Sequence, residues 1–506
     1  MQHTTLQDYL ALAREYDLIP VCKEVLADLE TPVSVLRRFA DNPNVFLLES
    51  IEGGETWGRY SFIGVEPELL FEIEHTDSPG RLAPAQRSGG AGSAPAEPGV
   101  TDPQLLRRLR PVYQGVRAAT MPGLPRFFGG AVGYIGYEAI REFERLPAPK
   151  PVRGGGRPIS RFLKVDNLIV FDNLRHTIKV IVCSRPASAA TPTEVYEAAC
   201  RKIAAIETIL QQPAPRVENR VYPPVTFASN MTSAQYQAIV RKAKDYIVAG
   251  DIIQAVLSQR FSARSEVPPF QLYRALRLLN PSPYLYFLKI GDQALVGSSP
   301  EIMVRLTGNR VELRPIAGTR PRGATEQQDR QLADDLLSDD KEKAEHIMLV
   351  DLGRNDLGRV AETGSVQVRD YMTIERYSHV MHIVSHVEAI LRKGCDAADV
   401  IRATFPAGTL SGAPKIRAME IIHELESEPR GAYGGALGYI SYDGSMDFAI
   451  TIRTLEIAGG TIAIQAGAGI VYNSDPQKEF EETGHKARGM QNAVALAANG
   501  LQLKNG

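Results

Sequence analysis

The chain is poor in cysteine, with four thiols in 506 residues: Cys22, Cys183, Cys200 and Cys395. They are scattered, without a CxxC pair or any metal-ligand spacing, so they read as reduced, packed thiols rather than a disulfide framework or a zinc ribbon. Excess charge is also missing. The 57 basic and 59 acidic residues balance, which leaves no field to attract nucleic acid or an anionic membrane. Nowhere is there a run of about 18 apolar residues, and the opening MQHTTLQDYLALAREYDLIP lacks a basic region followed by an apolar core. These absences lead us to expect a cytoplasmic protein with no membrane span and no nucleic-acid partner. What the chain does have is core-forming material, 44% hydrophobic residues, enough for two ordinary domains or one unusually large one.

Helices are expected over Leu6 to Glu15, Pro32 to Ala40 with Thr31 as cap, and Thr193 to Gln211. Strands are expected over Asn44 to Ile51, Gly58 to Gly64, Phe128 to Tyr137, Leu168 to Phe171 and Thr177 to Cys183. Between Asp77 and Asp102 the sequence is rich in Gly, Pro, Ala and Ser, and reads as a disordered insertion. After the proline-bearing link 213–224 the patterning is stronger. A helix ends at Gly250, and the strand Ile252 to Ser262 carries Gln254, Val256, Ser258 and Arg260 on one face. Further strands are expected at Tyr284 to Ile290, Gln293 to Val296, Ile302 to Leu306, Tyr377 to Ala389, Gly434 to Tyr442, Phe448 to Glu456 and Thr461 to Tyr472. Strands in consecutive runs and helices in separate blocks predict an α+β fold of large antiparallel sheets, with an N-terminal region 1–225 and a C-terminal region 226–506.

The stretch Gln465 to Met490 joins a strand with Gly467 and Gly469 to a helix that opens on Glu479, Glu481 and Glu482. Its 3.6-residue repeat buries Phe480, Thr483, Ala487, Met490 and Val494, with Glu479 and Lys486 at the border. A dinucleotide site is rejected because GAG continues into strand residues IVY and not into a helix N-terminus. A second helix, Lys341 to Gly353, presents Glu342 and Glu345 on one face. Alone, each carboxylate pair is a solvated face. If the two faces met, they would form an oxygen cage suited to magnesium and an anionic ligand. Arg453, among apolar neighbours, calls for an anionic partner. His379, His382 and His386 would share a helix face at metal-binding spacing, but the segment reads as a strand, which separates His379 from the others.

The strings GSSPEIMVR, RPIAGTRPRG, EHIMLVDLGRNDLGRV, GTLSGAPKIRAMEII, YGGALGYI and QAGAGIVYNSDPQKEFEET resemble the chorismate-binding family, and within it the large subunits of anthranilate synthases. The resemblance covers nearly all of residues 226–495, and a weaker one extends over the N-terminal half through LLES and GRYSFIG. It implies sheets packed face to face with helices outside, and a reaction in which ammonia adds to chorismate and pyruvate leaves. Glu345 and Glu482 would ligate magnesium, with Glu342 and Glu479 beside them. Arg453, Tyr433 and the backbone at Gly467 and Gly469 would hold the enolpyruvyl carboxylate. Gly318 and Thr319 would line the ring carboxylate, and Lys486 joins the substrate-binding set. Glu301 would be the general acid, with a pKa raised by burial and neighbouring negative charge, and His382 would serve pyruvate elimination. Isochorismate synthases carry a lysine where Gln254 stands, and one type of aminodeoxychorismate synthase carries a nucleophilic lysine at the position of Ala317. Both differences favour direct attack by ammonia.

The resemblance also implies a feedback site for tryptophan, formed by Glu49 and Ser50 with Asn280, Pro283, Tyr284 and Leu285, the last standing where many relatives have methionine. None of the cysteines lies in a Gly-x-Cys-x-Gly turn. Ammonia from glutamine would therefore come from a separate glutamine amidotransferase subunit, in a heterotetramer of two large and two small chains.

Overall fold

The computed structural model describes residues 3–50, 58–74, 103–151, 157–187, 190–213, 215–216, 220–377 and 380–502. The expected insertion at 77–102 and His379 lie outside the described residues. Among the described residues, strands of about ten residues or fewer build two large sheets whose neighbours pair antiparallel throughout. The first has twelve strands. Along its main path run Ile19–Leu26, Thr177–Ser184, Asn167–Asp172, Tyr60–Gly64, Asn44–Glu49, Tyr284–Ile290, Gln293–Ser299, Thr454–Ala458, Thr461–Ile470, Gln254–Arg264 and Gly412–Ala413. The second has ten, including Ile316–Pro321, Val380–Ile390, Arg310–Leu313, Ile302–Thr307, Met446–Ile450, Ala436–Ser441, Gly130–Ile135, Ser160–Val165 and Glu68–Ile73. Strands from both sides of residue 225 enter each sheet.

The sheets face one another across a single apolar core. Phe46, Phe62, Leu168, Tyr286 and Leu295 from the first meet Tyr134, Phe162, Val304, Leu437 and Phe448 from the second. The strands of this core are buried on nearly every residue, which explains their continuous apolar runs. The other face of the first sheet is covered by the helices Pro192–Gln211, Pro269–Leu279 and Pro476–Ala498 through Ile203, Leu272, Ala487, Met490 and Val494. Among the described residues no helix is long and apolar enough to cross a membrane.

Two of the passages that carry the chain from one sheet to the other lie side by side. The strand Gln293–Ser299 of the first sheet is followed, after Pro300 and Glu301, by Ile302–Thr307 of the second. The strand Met446–Ile450 of the second is followed, after Thr451 to Arg453, by Thr454–Ala458 of the first. The continuous strand expected over Phe448 to Glu456 is therefore two strands in different sheets. The break lies at Arg453, whose φ of 51° ends the extended run. The passages are bonded to each other: Ile450 N donates to Glu301 O at 3.0 Å, and Ser298 N to Arg453 O at 3.1 Å.

Candidate active site

The two acidic helices start at side-chain caps. Asp475 accepts from the backbone N–H groups of Gln477 and Lys478, with Pro476 in the first turn, and opens the helix Pro476–Ala498. Asp339 accepts from Lys341 and Glu342 and opens Asp340–Gly358. Both caps orient a carboxylate-bearing first turn toward the same space. Burial raises the carboxyl pKa of Glu345, and Glu342 and Glu482 raise it further. Glu342 is raised by burial and by Asp339, with Glu482 adding to it. Glu479 is raised by burial, which with Glu482 overcomes a bond from Ser474. The expected meeting of the two carboxylate faces is what these shared influences describe. Lys486 stands among them, 2.7 Å from Glu482 Oε1, and donates to Gly467 O at 3.0 Å.

From Gly467 the contacts continue round the space. A Cβ added at Gly467 would fall 2.8 Å from the Tyr433 hydroxyl. Tyr433 and Arg453 influence one another, and Arg453 in turn depresses His382, whose pKa is lowered mainly by burial. His382 Nδ1 lies 2.9 Å from Gly318 O and 3.1 Å from the Thr319 hydroxyl. A carbonyl only accepts, so Nδ1 carries the hydrogen and Nε2 of the neutral ring is left as the acceptor. Gly318, at φ 66° in a bulge of the Ile316–Pro321 strand, backs onto Glu342, whose Oε2 an added Cβ would approach to 3.1 Å. The ring thus closes from the carboxylates through Lys486, Gly467, Tyr433, Arg453, His382 and Gly318 back to the carboxylates.

Arg453 exposes its side chain to solvent, yet the protein around it lowers its guanidinium pKa by desolvation. The guanidinium is thus reachable from solvent while the protein around it strips part of its hydration. Among the described residues its guanidinium forms no ion pair and no hydrogen bond. The glycine pair makes room for side chains: Gly467 for Tyr433, and Gly469 for Gln254, whose Nε2 an added Cβ would meet at 2.5 Å. Gln254 is 2% exposed, and its Oε1 has no hydrogen-bond partner among the described residues.

Glu301 occupies the other sheet passage and is 5% exposed. Burial pushes its carboxyl up to about 8 against a hydrogen bond from Thr409, whose hydroxyl donates to Oε1 at 2.7 Å. The expected contribution of neighbouring negative charge is absent from its causes, and burial does this alone. With Oε1 accepting, Oε2 is the oxygen left to carry the proton. Thr409 was not marked from sequence, since a threonine in GTLSGAPK gives no charge signal.

The donor set fits magnesium, because the negative charge of Glu342 and Glu482 that raises Glu345 would be relieved by a divalent cation, and Glu345 and Glu482 come from different helices. A different cluster, Glu312, His386 and Glu388, brings ligand atoms within 4.8 Å of one another. Arg310 already pairs with Glu388 at 2.6 Å and with Glu312 at 3.5 Å, and Arg369 pairs with Glu388, so its charge is met by protein. His382 and His386 take different partners, Gly318 O and Glu312, and do not converge on one site.

Glu49, Ser50, Pro283, Tyr284 and Leu285 line a separate cavity of about 910 Å³ between the sheets. The register pairs Leu285 with Glu49, which brings the LLES and PSPYLYF segments side by side. Asn280 is not among its lining residues; its side chain lies against Gly489 of the terminal helix. Glu49 is buried and paired with Arg277, a partner sequence reasoning did not supply. It also missed Arg305 and Asp447 in the same wall, although an arginine in IMVRLT and an aspartate in MDFAI are the same signal as Arg453 in its apolar run.

A family model described as chorismate binding enzyme matches residues 43–492. The anthranilate synthase component 1 of Pseudomonas putida is 48% identical over 501 residues, covering 97% of this chain and 98% of the relative. That of Aquifex aeolicus is 46% identical over 502 residues, covering 97% and 98%. The crystal structure of anthranilate synthase component I from Streptococcus pneumoniae aligns with a TM-score of 0.73 at 38% identity, over 87% of this chain and 94% of that one. The menaquinone-specific isochorismate synthase of Escherichia coli aligns over 97% of this chain and 99% of its own, with a TM-score of 0.66 at 18% identity, and shares the fold. A match over most of the length, by model and by relatives alike, means that the chain belongs to the chorismate-binding enzyme family.

Proposed function

We propose that this chain is the chorismate-aminating subunit of an anthranilate synthase, converting chorismate and ammonia to anthranilate and pyruvate. The observation that carries the reading is the pairing of opposites around one cleft. Among the described residues the Arg453 guanidinium has no ion pair and no hydrogen bond on one wall, and Glu342, Glu345, Glu479 and Glu482 are clustered carboxylates on the other. A substrate with two carboxylates satisfies both walls at once: one pairs with the guanidinium directly, the other reaches the glutamates through a metal. Magnesium held by Glu345 and Glu482 would supply the charge that fixes the ring carboxylate. Gly318 and Thr319 line that end of the cleft, and Tyr433 with Arg453 orients the enolpyruvyl group at the other.

Glu301 holds its proton at neutral pH and can give it to the departing ring hydroxyl while ammonia adds. Gln254 cannot take a proton from water as a lysine would, which favours ammonia over water as nucleophile. His382, neutral and with Nε2 as acceptor, is suited to remove the ring proton as pyruvate leaves and the ring becomes aromatic. Tryptophan would bind in the cavity between the sheets as a feedback inhibitor, its indole against Leu48, Leu285 and Tyr286. A glutamine amidotransferase subunit, two copies with two of this chain, would supply the ammonia in the cytoplasm.

The test is chorismate with ammonium and magnesium, followed by anthranilate fluorescence and pyruvate release. Both products are expected together; amination without pyruvate would make this an aminodeoxychorismate synthase, and no turnover would end the enzyme reading.

A further inference from the structure

The cavity between the sheets contains a buried charge cluster for which the proposed chemistry has no use. Arg305 stands opposite Asp447 in the register of Ile302–Thr307 against Met446–Ile450. Its Nε donates to Asp447 Oδ2 at 2.8 Å, and its terminal nitrogen lies 2.7 Å from the same oxygen. The arginine also donates to the Tyr284 hydroxyl at 3.1 Å, and that hydroxyl donates to Asp447 Oδ1 at 3.0 Å. Arg305 and Asp447 are 6% and 8% exposed. Charges so buried hold only as a complete set, because removing one member leaves the others unpaired. Tyr284 belongs to the first sheet and its two partners to the second, so the triad ties the sheets together.

Each member also leads to Glu301. Tyr284 is paired in register with Ser299, whose hydroxyl accepts from Glu301 N at 3.4 Å. Arg305 lies on the strand that Glu301 enters, about 13 Å along at the usual strand rise. Asp447 lies on the strand ending at Ile450, whose N–H donates to Glu301 O.

We propose that Tyr284, Arg305 and Asp447 form a clamp that positions Glu301, and that an amino acid in the cavity acts on the active site by competing for this clamp. The second half rests on the tryptophan reading of the cavity. An amino acid carries one ammonium and one carboxylate, and the clamp offers the complementary pair, Asp447 and Arg305, on the cavity wall. Arg305 is a positioning residue, acting through its strand and not on the substrate.

Tyr284→Phe removes one hydroxyl and the bridge between the sheets while leaving the Arg305–Asp447 pair. In the purified chain supplied with ammonium, kcat without tryptophan is expected to fall about tenfold while the chorismate KM stays within about twofold. Tryptophan binding, measured by calorimetry, is expected to persist, while saturating tryptophan inhibits less than about half of the remaining turnover. Circular dichroism establishes that the variant is folded; if it is not, Arg305→Lys, which keeps the charge and loses the planar fork, is judged by the same kcat and KM split. An unchanged kcat in the folded variant overturns the positioning. Inhibition that tracks occupancy as in the wild type, or loss of tryptophan binding itself, overturns the competition. A wild-type chain that binds no tryptophan removes the feedback reading and the competition with it, while the kcat result still decides the positioning.

Discussion

At the scale of single residues, the site depends on groups held in uncommon protonation states. Burial pushes the Glu301 carboxyl from the ordinary 4.5 up to about 8. Turnover that needs its proton should hold below pH 8 and fall as pH rises through that value, a limb that a rate profile would reveal. The same shift acts on stability. Between 4.5 and about 8 the folded chain keeps a proton that the unfolded chain releases, so this group's contribution to stability is lost as pH rises across that window. Glu301→Gln should remove the alkaline limb and lower kcat by about 10²–10⁴-fold, the usual weight of general acid catalysis. In the cavity, Ser50→Phe should abolish tryptophan inhibition while turnover persists. Assays across a tryptophan series would show it, and unchanged inhibition would remove this site.

At the scale of elements, helices and strands with a clear repeat were legible and the breaks between them were not. Phe480, Thr483, Ala487, Met490 and Val494 follow a 3.6-residue repeat, and all but the half-buried Phe480 are buried in the structure. The strand Gln367–Arg376 escaped notice because its side chains are mostly exposed and polar. The sheet passage at 451–453 escaped because both flanking strands are buried on both faces, so exposure does not alternate and gives no sign of a change of sheet. Charge in apolar surroundings was a legible signal, read at Arg453 though not at Arg305 and Asp447, while a polar partner that was a threonine or a backbone oxygen left no signal to read. The glycine strand provides an element-level test. Gly467→Ala would place a methyl 2.8 Å from the Tyr433 hydroxyl and 2.9 Å from Leu257 O, and backbone cannot retreat. A raised chorismate KM is expected together with a lowered melting temperature. For the acidic helices, Glu482→Ala should cripple magnesium-dependent turnover, and calorimetry should find magnesium binding weakened to match.

At the scale of the whole molecule, sequence patterning was enough for large antiparallel sheets but not for their number or for their sharing of N-terminal and C-terminal strands. Long-range pairings such as Leu48 with Tyr286 leave no local trace. A consequence for partnership follows from the thiols. Cys22 and Cys183 are buried, and burial pushes the Cys22 thiol up to about 12 and Cys183 higher still, so neither is a nucleophile at neutral pH. Since none of the four cysteines lies in a Gly-x-Cys-x-Gly turn either, the purified chain should form anthranilate from ammonium and release no glutamate from glutamine; glutamate production would refute the need for an amidotransferase partner.

The paired sheet passages at Pro300 and at 451–453 also set where this protein tolerates changes of length. A residue inserted at Pro300 would slip Ile302–Thr307 by one position against Met446–Ile450, and a one-residue slip turns every side chain to the opposite face. Arg305 would leave Asp447, and the apolar residues between the sheets would be replaced by their neighbours. Hairpin ends such as Gly308, with nothing near an added Cβ, carry no such coupling. A scan of single-residue insertions should divide accordingly, with hairpin tips permissive and the two passages, a few residues each, intolerant because a shift there misaligns both the core and the chemistry.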